Sequence, residues 1–434
     1  MKAVNIGLCG LGTVGGGTFN VISRNQQEVS ARAGCEVRIA QVGARRDNPS
    51  CDLSGVPVTR DIFEVVNNPE IDIIVELIGG TTVAKELVEL AIDNGKHVVT
   101  ANKALIAEFG NELFQRAAAK GVSIAYEAAV AGGIPIIRAL REGLSANKIE
   151  WLAGIINGTG NFILTEMREK GRNFEDVLKE AQELGYAEAD PTFDVEGIDA
   201  AHKLVILASI AFGMPLQFHG VFTEGISKIS TLDVEYADEL GYRIKHLGIA
   251  RKHDNGVELR VHPTLIPEKQ LIANVNGVEN AILVRGDAVG PTLYCGPGAG
   301  AEPTASAVVS DIVDLSRKVN AKPEHHVPSL GCDEKDLEEF PILPIGAIRT
   351  SYYLRMTALD EAGVLSQITQ ILSDKGISIE ALIQKEAPQH QQEIPVILLT
   401  NTVLESDLDL AIELIEALSS VREKVVKIRV ETLV

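Results

Sequence analysis

The chain has 434 residues, 45% of them hydrophobic, with 39 glycines and a formal net charge of −20. That length supports two to four domains with ample core, in the composition range of a globular α/β protein. The acidic balance argues against a nucleic-acid or acidic-membrane partner, either of which would need a basic face.

Lys2–Gly7 (KAVNIG) is an apolar run suited to a buried parallel strand, and a strand this early leaves no room for a signal peptide. It leads into Gly10-Leu11-Gly12-Thr13-Val14-Gly15, a G-x-G-x-x-G that opens a helical stretch. The first glycine permits a tight turn, the second lets backbone approach a pyrophosphate, and the third lets helix pack on strand. The helix start then offers its N–H groups to phosphate. Gly16 and Gly17 leave a flexible turn as the competing reading, but the position after a first strand favours a dinucleotide site. A second run, Glu36–Ala44, ends at Arg45 and Arg46, where an acid gripping an NAD ribose would otherwise stand. Guanidinium groups suit a 2′-phosphate, so NADP is preferred, with NAD left open by Asp47; two exposed surface arginines are the bland alternative.

Strands at Ile71–Ile78, His97–Thr100 and Ser123–Tyr126 alternate with helices at Val83–Asn94 and Lys103–Ala119. This is the pattern of a doubly wound, Rossmann-type α/β domain. Thr100-Ala101-Asn102-Lys103 sits at a strand's carboxyl end, where such sheets bind ligands. Lys103 is therefore placed near cofactor or substrate, with a first-turn surface lysine as the alternative. Glu127 to Pro135 is a turn-rich passage into a helix. From there to Pro303, strands Lys148–Ile156, Val257–Pro267 and Asn280–Gly286 mix with helices, which predicts an α+β domain with its own open sheet. Asn157-Gly158-Thr159-Gly160-Asn161 reads either as pocket lining or as a turn.

Between Ala181 and Lys203 the sequence crowds Glu188, Asp190, Asp194, Glu196 and Asp199 together. Pro191 and Gly197 predict an irregular loop. From Asp199 the pattern turns helical, which places Asp199 and Lys203 on one side of a helix. One reading is a solvated acidic loop and a helix ion pair worth ~0.3 kcal/mol. The other is a pocket: carboxylates hold a cationic amino group, and a lysine exchanges a proton with a reacting oxygen.

The apolar stretch 204–216 is broken by Ser209, Gly213 and Pro215 and is too short to span a bilayer. Gly296 to Gly300 reads as a second glycine-rich turn before a helix, Ala305–Val319, expected to return to the nucleotide domain. Residues 321–348, with Pro323, Pro328, Pro341 and Pro344, read as a linker, and His325 and His326 as solvated loop. Beyond it come strand Tyr352–Thr357, helix 364–374, strands Ile377–Gln384 and Ile394–Thr400, helix 406–418 and strand Lys424–Glu431. That order is a ferredoxin-like βαββαβ unit without an acid–base cluster, expected to regulate or assemble. Cys9, Cys35, Cys51, Cys295 and Cys332 are never in C-x-x-C spacing and read as reduced thiols of a cytoplasmic protein.

With these motifs in place, the chain resembles a bacterial homoserine dehydrogenase over essentially its full length. Ala181, Gly185, Tyr186, Asp190-Pro191, Asp194, Gly197, Asp199 and Lys203 stand at that family's signature spacings. The carboxyl unit resembles an ACT domain, with Asp360 to Leu365 as its first strand-to-helix turn. The resemblance implies interconversion of L-aspartate 4-semialdehyde and L-homoserine with a nicotinamide cofactor, in threonine, methionine and isoleucine biosynthesis. It also implies feedback by L-threonine.

By the same resemblance Lys203 supplies the proton, Asp199 orients lysine and substrate, Glu188 holds the substrate, and Lys103 stands at the cofactor–substrate boundary. Gly10, Gly12, Thr13, Val14, Gly15, Arg45, Arg46, Thr100, Lys103, Gly185, Gly298 and Gly300 carry over as cofactor contacts. Glu127, Val130, Gly132 and Ile134 match a loop whose carbonyls hold Na⁺ or another monovalent cation; an ordinary β-to-α turn is the alternative. The implied division is 1–134 for NAD(P) (with the returning helix 305–320), 135–304 for substrate and dimerisation, 321–348 as linker and 349–434 as ACT domain. A homodimer or homotetramer is expected. Two rivals remain in view. A semialdehyde dehydrogenase forming an acyl phosphate would need a cysteine nucleophile, and none lies between Cys51 and Cys295. A nucleotide- and amino-acid-binding sensor would not need the acid and carboxylate set.

Overall fold

A computed structural model describes residues 3–319, 326–385 and 392–433, so Lys2, Pro323 and His325 lie outside the described residues. The chain forms two compact units. One comprises Met1–Gly158, Asp199–Val221 and Val278–Phe340; the other comprises Thr159–Ile198, Phe222–Gly277 and Pro341–Val434.

The first unit is built on six parallel strands. They are β1 (Val4–Cys9), β2 (Val37–Gly43), β3 (Val58–Thr59), β4 (Ile73–Glu76), β5 (His97–Thr100) and β6 (Ile124–Ala125). Their order is β3-β2-β1-β4-β5-β6, so the chain reverses direction across the sheet between β1 and β4, where such folds bind nucleotides. All six residues of β1 are buried, as expected of a strand covered on both faces. Edge strand β3 is two residues long, too short to show a period in the sequence.

Helix α1 (Thr13–Arg24) follows β1 and includes Gly16 and Gly17, which therefore form no flexible turn. The backbone of Ala301 occupies the space a Cβ at Gly17 would need. Through that approach the helix Ala301–Lys318 packs on α1, burying Phe19, Val308, Ile312 and Leu315 in one core. This helix starts earlier than the expected 305, and Gly290–Pro297 is a strand, so only residues 298–300 form the glycine-rich turn. With Ile149–Ile155 and Glu279–Gly286 that strand makes an antiparallel ladder. His326 is not a solvated loop residue: it is half-buried, its ring 5.8 Å from that of His97 and its Nδ1 3.2 Å from Ser123 Oγ.

In the second unit the strands Tyr242–His253 and Gly256–Pro267 form a long hairpin. The carboxyl-terminal βαββαβ order is present, with helices Val364–Asp374 and Glu405–Glu416 over strands Arg349–Leu359, Ile379–Gln384, Glu393–Thr400 and Val426–Val430. Val364, Ile368 and Leu372 supply the buried face of the first helix. The βαββαβ sheet does not stop at its own edge: Thr264 and Leu265 of the hairpin pair in parallel with Arg429 and Val430. The segment 157–161 is no turn, because a helix begins at Gly158. The expected loop around Pro191 contains one helical turn, Thr192–Val195. Among the described residues no helix is long and apolar enough to cross a membrane.

Candidate active site

Asp199 opens the helix Ile198–Phe212 and is 4% exposed. Its Oδ2 accepts hydrogen bonds from Lys203 Nζ at 2.6 Å, one turn along the helix, and from Asn157 Nδ2 at 2.9 Å. Its Oδ1 lies 2.9 Å from Lys103 Nζ, in the first turn of α2 (Lys103–Lys120). Lys203 Nζ also donates to the Ile156 carbonyl at 2.7 Å. Burial works against ionisation of Asp199, but the ammonium groups of Lys203 and Lys103 outweigh it and hold the carboxyl well below the usual carboxylate range. The arrangement is one fixed anion bracing two cationic nitrogens.

The strand ends beside Lys103 are organised by a residue that sequence reasoning missed. Glu76, at the end of β4, is fully buried; it accepts from Thr100 Oγ1 at 2.6 Å and from the Ile78 backbone N–H at 2.9 Å. Burial pushes its carboxyl up, against the pull of those hydrogen bonds. Thr100 Oγ1 accepts from Asn102 N–H, and Asn102 caps α2 through Leu105 N–H. Lys103 thus starts its helix in a fixed direction.

The fingerprint loop fits a dinucleotide. Gly10 has φ of +101°, and its missing Cβ leaves room for the Leu77 carbonyl. Gly15 lies against the Gly10 carbonyl, and a side chain at Gly12 would meet nothing within 4 Å, so this backbone is open to an incoming phosphate. Thr13 and Val14 open α1 there. Arg45 and Arg46 are exposed beyond β2. Asp47, the acid nearest them, is paired with Arg60 Nη2 at 2.9 Å, and Arg60 also donates to the Ala44 carbonyl. Arg60 is a third guanidinium that no local motif announced. The Gly298 turn packs on the Asn280 carboxamide, which is 1% exposed and has no hydrogen-bond partner among the described residues. An orphaned amide beneath a glycine turn is what a bound polar group would complete.

Two separately expected features come together here. Gly133 N–H donates to the Pro297 carbonyl at 3.0 Å, and a Cβ at Gly132 would stand 2.5 Å from the Gly298 carbonyl oxygen. The 127–134 loop and the turn ending at Gly300 are neighbours. Glu127 spends its carboxylate on the Ile137 and Arg138 backbone N–H groups at 2.8 and 2.9 Å, and Ile134's carbonyl is engaged by Ile136 N–H. The carbonyls of Val130 and Gly132 receive no hydrogen bond among the described residues, and Ala131 between them has φ of +54°. Behind Glu127, Asp311 is pushed up to about 7 by burial and by the Glu127 carboxylate. Among the described residues no three His, Cys, Asp or Glu side chains are grouped to hold a metal, so an ion here would rest on carbonyl oxygens.

Gly185 and Glu188 belong to the other unit. Gly185, with φ of +75°, follows the helix Phe174–Glu183; Glu188 is exposed, and its carbonyl accepts from Gln182 Nε2 at 3.1 Å. In the carboxyl-terminal unit a cavity of about 190 Å³ lies at the Asp360–Gly363 turn, lined also by Gln384 and Ile394.

Comparison with known proteins identifies the family. A homoserine dehydrogenase family model matches residues 135–313, its NAD-binding domain model matches 10–127, and an ACT domain model matches 352–420. A homoserine dehydrogenase of Pseudomonas aeruginosa is 64% identical over the full length of both chains. The crystal structure of a homoserine dehydrogenase from Thiobacillus denitrificans superposes with a TM-score of 0.95 at 61% identity, over 100% of this chain and 99% of that one. A more distant likeness, at 27% identity and a TM-score of 0.62 over 73% of this chain and 98% of the other, is a hyperthermophilic archaeal homoserine dehydrogenase in complex with NADPH. The chain belongs to the homoserine dehydrogenase family of oxidoreductases, with a nucleotide-binding domain at its amino end and an ACT domain at its carboxyl end.

Proposed function

We propose that this chain reduces L-aspartate 4-semialdehyde to L-homoserine reversibly, with Lys203 as the proton donor and NADP as the preferred cofactor. The observation that carries the reading is the buried Asp199 carboxylate with a lysine ammonium on each oxygen. A bound reduced nicotinamide supplies the hydride. Reduction of an aldehyde builds negative charge on its oxygen, and Lys203, oriented by Asp199 and the Ile156 carbonyl, delivers the proton there. Lys103, on the same carboxylate, steadies the charge. Glu188 takes the substrate's ammonium group.

Gly10, Gly12, Thr13, Val14, Gly15, Thr100, Lys103, Gly185, Gly298 and Gly300 are the proposed cofactor contacts, with Arg45 and Arg46 on the 2′-phosphate and Arg60 beside them. Pairing of Asp47 with Arg60 supports NADP, because it occupies the acid that would otherwise compete for a ribose hydroxyl. Val130 and Gly132, backed by Glu127 and Ile134, are proposed to hold a monovalent cation. The cavity at the Asp360–Gly363 turn suits a small amino acid, and L-threonine is the proposed inhibitor. We also assign the enzyme to threonine, methionine and isoleucine biosynthesis in the cytoplasm, as a homodimer or homotetramer. Its proposed divisions are 1–134, 135–304, 321–348 and 349–434.

One assay tests this. NADPH and NADH consumption with aspartate semialdehyde are compared with and without threonine. Faster turnover with NADPH and inhibition by threonine are expected; cofactor binding without homoserine-dependent NADPH formation would favour a sensor.

A further inference from the structure

We infer that Arg429 of the ACT unit, acting through Glu224, is a positioning residue for the acidic stretch 188–197. The inference rests on the substrate role assigned above to Glu188.

Arg429 is 2% exposed. Its Nε donates to Glu405 Oε2 at 2.8 Å, its Nη2 also binds Glu405, and its Nη1 donates to Glu224 Oε2 at 2.6 Å. Glu405 already meets the guanidinium with both oxygens, so a second carboxylate is not needed to neutralise it. What the second bond fixes is the place of Glu224, whose side chain is 37% exposed. Its backbone is held too: Glu224 N–H donates to the Val261 carbonyl at 2.8 Å, and its own carbonyl lies 2.9 Å from His246 Nε2.

The residues just after Glu224 grip the end of the acidic stretch. Ile226 N–H donates to the Val195 carbonyl at 2.9 Å, and Ser227 Oγ donates to Glu196 Oε1 at 2.7 Å. Gly225 sits so close to Glu196 and Val195 that no side chain would fit. Gly197 closes the stretch against Val261 and His246. Farther along, Asp233 is fully buried and accepts from Arg355 Nε at 2.6 Å and Tyr353 Oη at 3.1 Å, both on an ACT strand. The segment 222–233 is therefore clamped at each end by ACT side chains and grips the acidic stretch in its middle. Arg355 stands on the strand that runs into the Asp360–Gly363 turn, so an amino acid bound at that turn would sit on the same strand as one of the two clamps.

The test uses the full-length enzyme carrying Glu224→Ala, Glu224→Gln or Glu188→Gln, each checked for an unchanged thermal midpoint. Glu224→Ala is expected to raise KM for homoserine about tenfold while kcat stays within about twofold and cofactor KM is unmoved. Glu224→Gln, which keeps an acceptor for Arg429, should fall between that variant and the parent. An unmoved homoserine KM in Glu224→Ala, with a raised one in Glu188→Gln, would overturn the inference and leave the substrate role of Glu188 standing. Equal losses in kcat and both KM values with a lowered midpoint would reduce Glu224 to a structural part and overturn it as well. An unmoved KM in Glu188→Gln would remove the substrate assignment and the inference with it.

Discussion

Lys103 and Lys203 share one carboxylate: their Nζ atoms lie 2.9 and 2.6 Å from opposite oxygens of Asp199. Lys203 Nζ also donates to a backbone carbonyl, that of Ile156, at 2.7 Å. Lys203 is thus held from two directions by bonds that a substrate oxygen could join. Lys203→Ala is expected to lower kcat roughly a hundred- to ten-thousand-fold, about 3–5 kcal/mol on the barrier, with the fold intact. Steady-state kinetics on the purified variant decide the matter, and a loss under about tenfold would take the acid role from Lys203.

Asp199→Asn removes the shared anion without changing shape. A carboxyl held below its unfolded value adds stability above about pH 4, and that contribution is lost as acidification approaches the depressed folded value. The variant should therefore be less stable than the parent by about 2 kcal/mol at pH 7. The gap should narrow only in strong acid. Thermal melts from pH 7 to pH 3, run side by side, would show it; a gap that closed near neutrality would contradict the pairing.

Arg45 and Arg46 follow β2 and Arg60 follows its neighbour β3, where Arg60 pairs with Asp47. Arg45→Glu should cut the preference for NADPH over NADH by about tenfold or more, through NADPH KM rather than kcat. Equal effects on both cofactors would place the 2′-phosphate elsewhere.

Where sequence and structure part company, the reason is a partner far along the chain. The glycine fingerprint and the Asp199–Lys203 pair are local, and both were legible. The strand Tyr242–His253 was not, because Lys245 and His246 fall on buried positions and erase its apolar period. Those polar groups are tolerated only because tertiary partners meet them: Lys245 Nζ donates to the Val275 carbonyl at 2.6 Å, to Asn161 and to Asn276. Gly290–Pro297 begins and ends in turn formers, and its last two residues read as part of the glycine-rich turn, although its ladder with Glu279–Gly286 is regular. Arg60 and Glu76 carry no motif at all. Each acquires its role from a strand end or helix start that only the folded sheet brings near.

Lys245 itself gives a pH prediction. Burial, with Arg168 nearby, pulls its ammonium down to about 7. A base whose folded value lies below its unfolded one favours folding most at high pH, and that advantage shrinks as pH falls below the unfolded value and is gone at the folded one. Relative to Lys245→Met, the parent should gain stability from pH 7 to about pH 10. Parallel curves for the two proteins in denaturant titrations would refute this.

Deleting residues 349–434 should not yield a soluble, desensitised dehydrogenase. The cut removes Glu431, which accepts from Arg260 Nη2 at 2.5 Å, and leaves Arg260, 2% exposed, with Glu258 as its remaining carboxylate. It also bares the strand edge at Thr264 and Leu265. A buried guanidinium that loses one of its two carboxylates is destabilised. Size-exclusion chromatography of the truncated protein checks the outcome; a monodisperse, active product would contradict it.

The parallel pairing of Leu265 with Val430 bears on protein engineering. Splicing in another species' tail would set the recipient hairpin against a stranger's last strand. A working chimera would have to import its hairpin together with its tail, or redesign both sides of that seam at once.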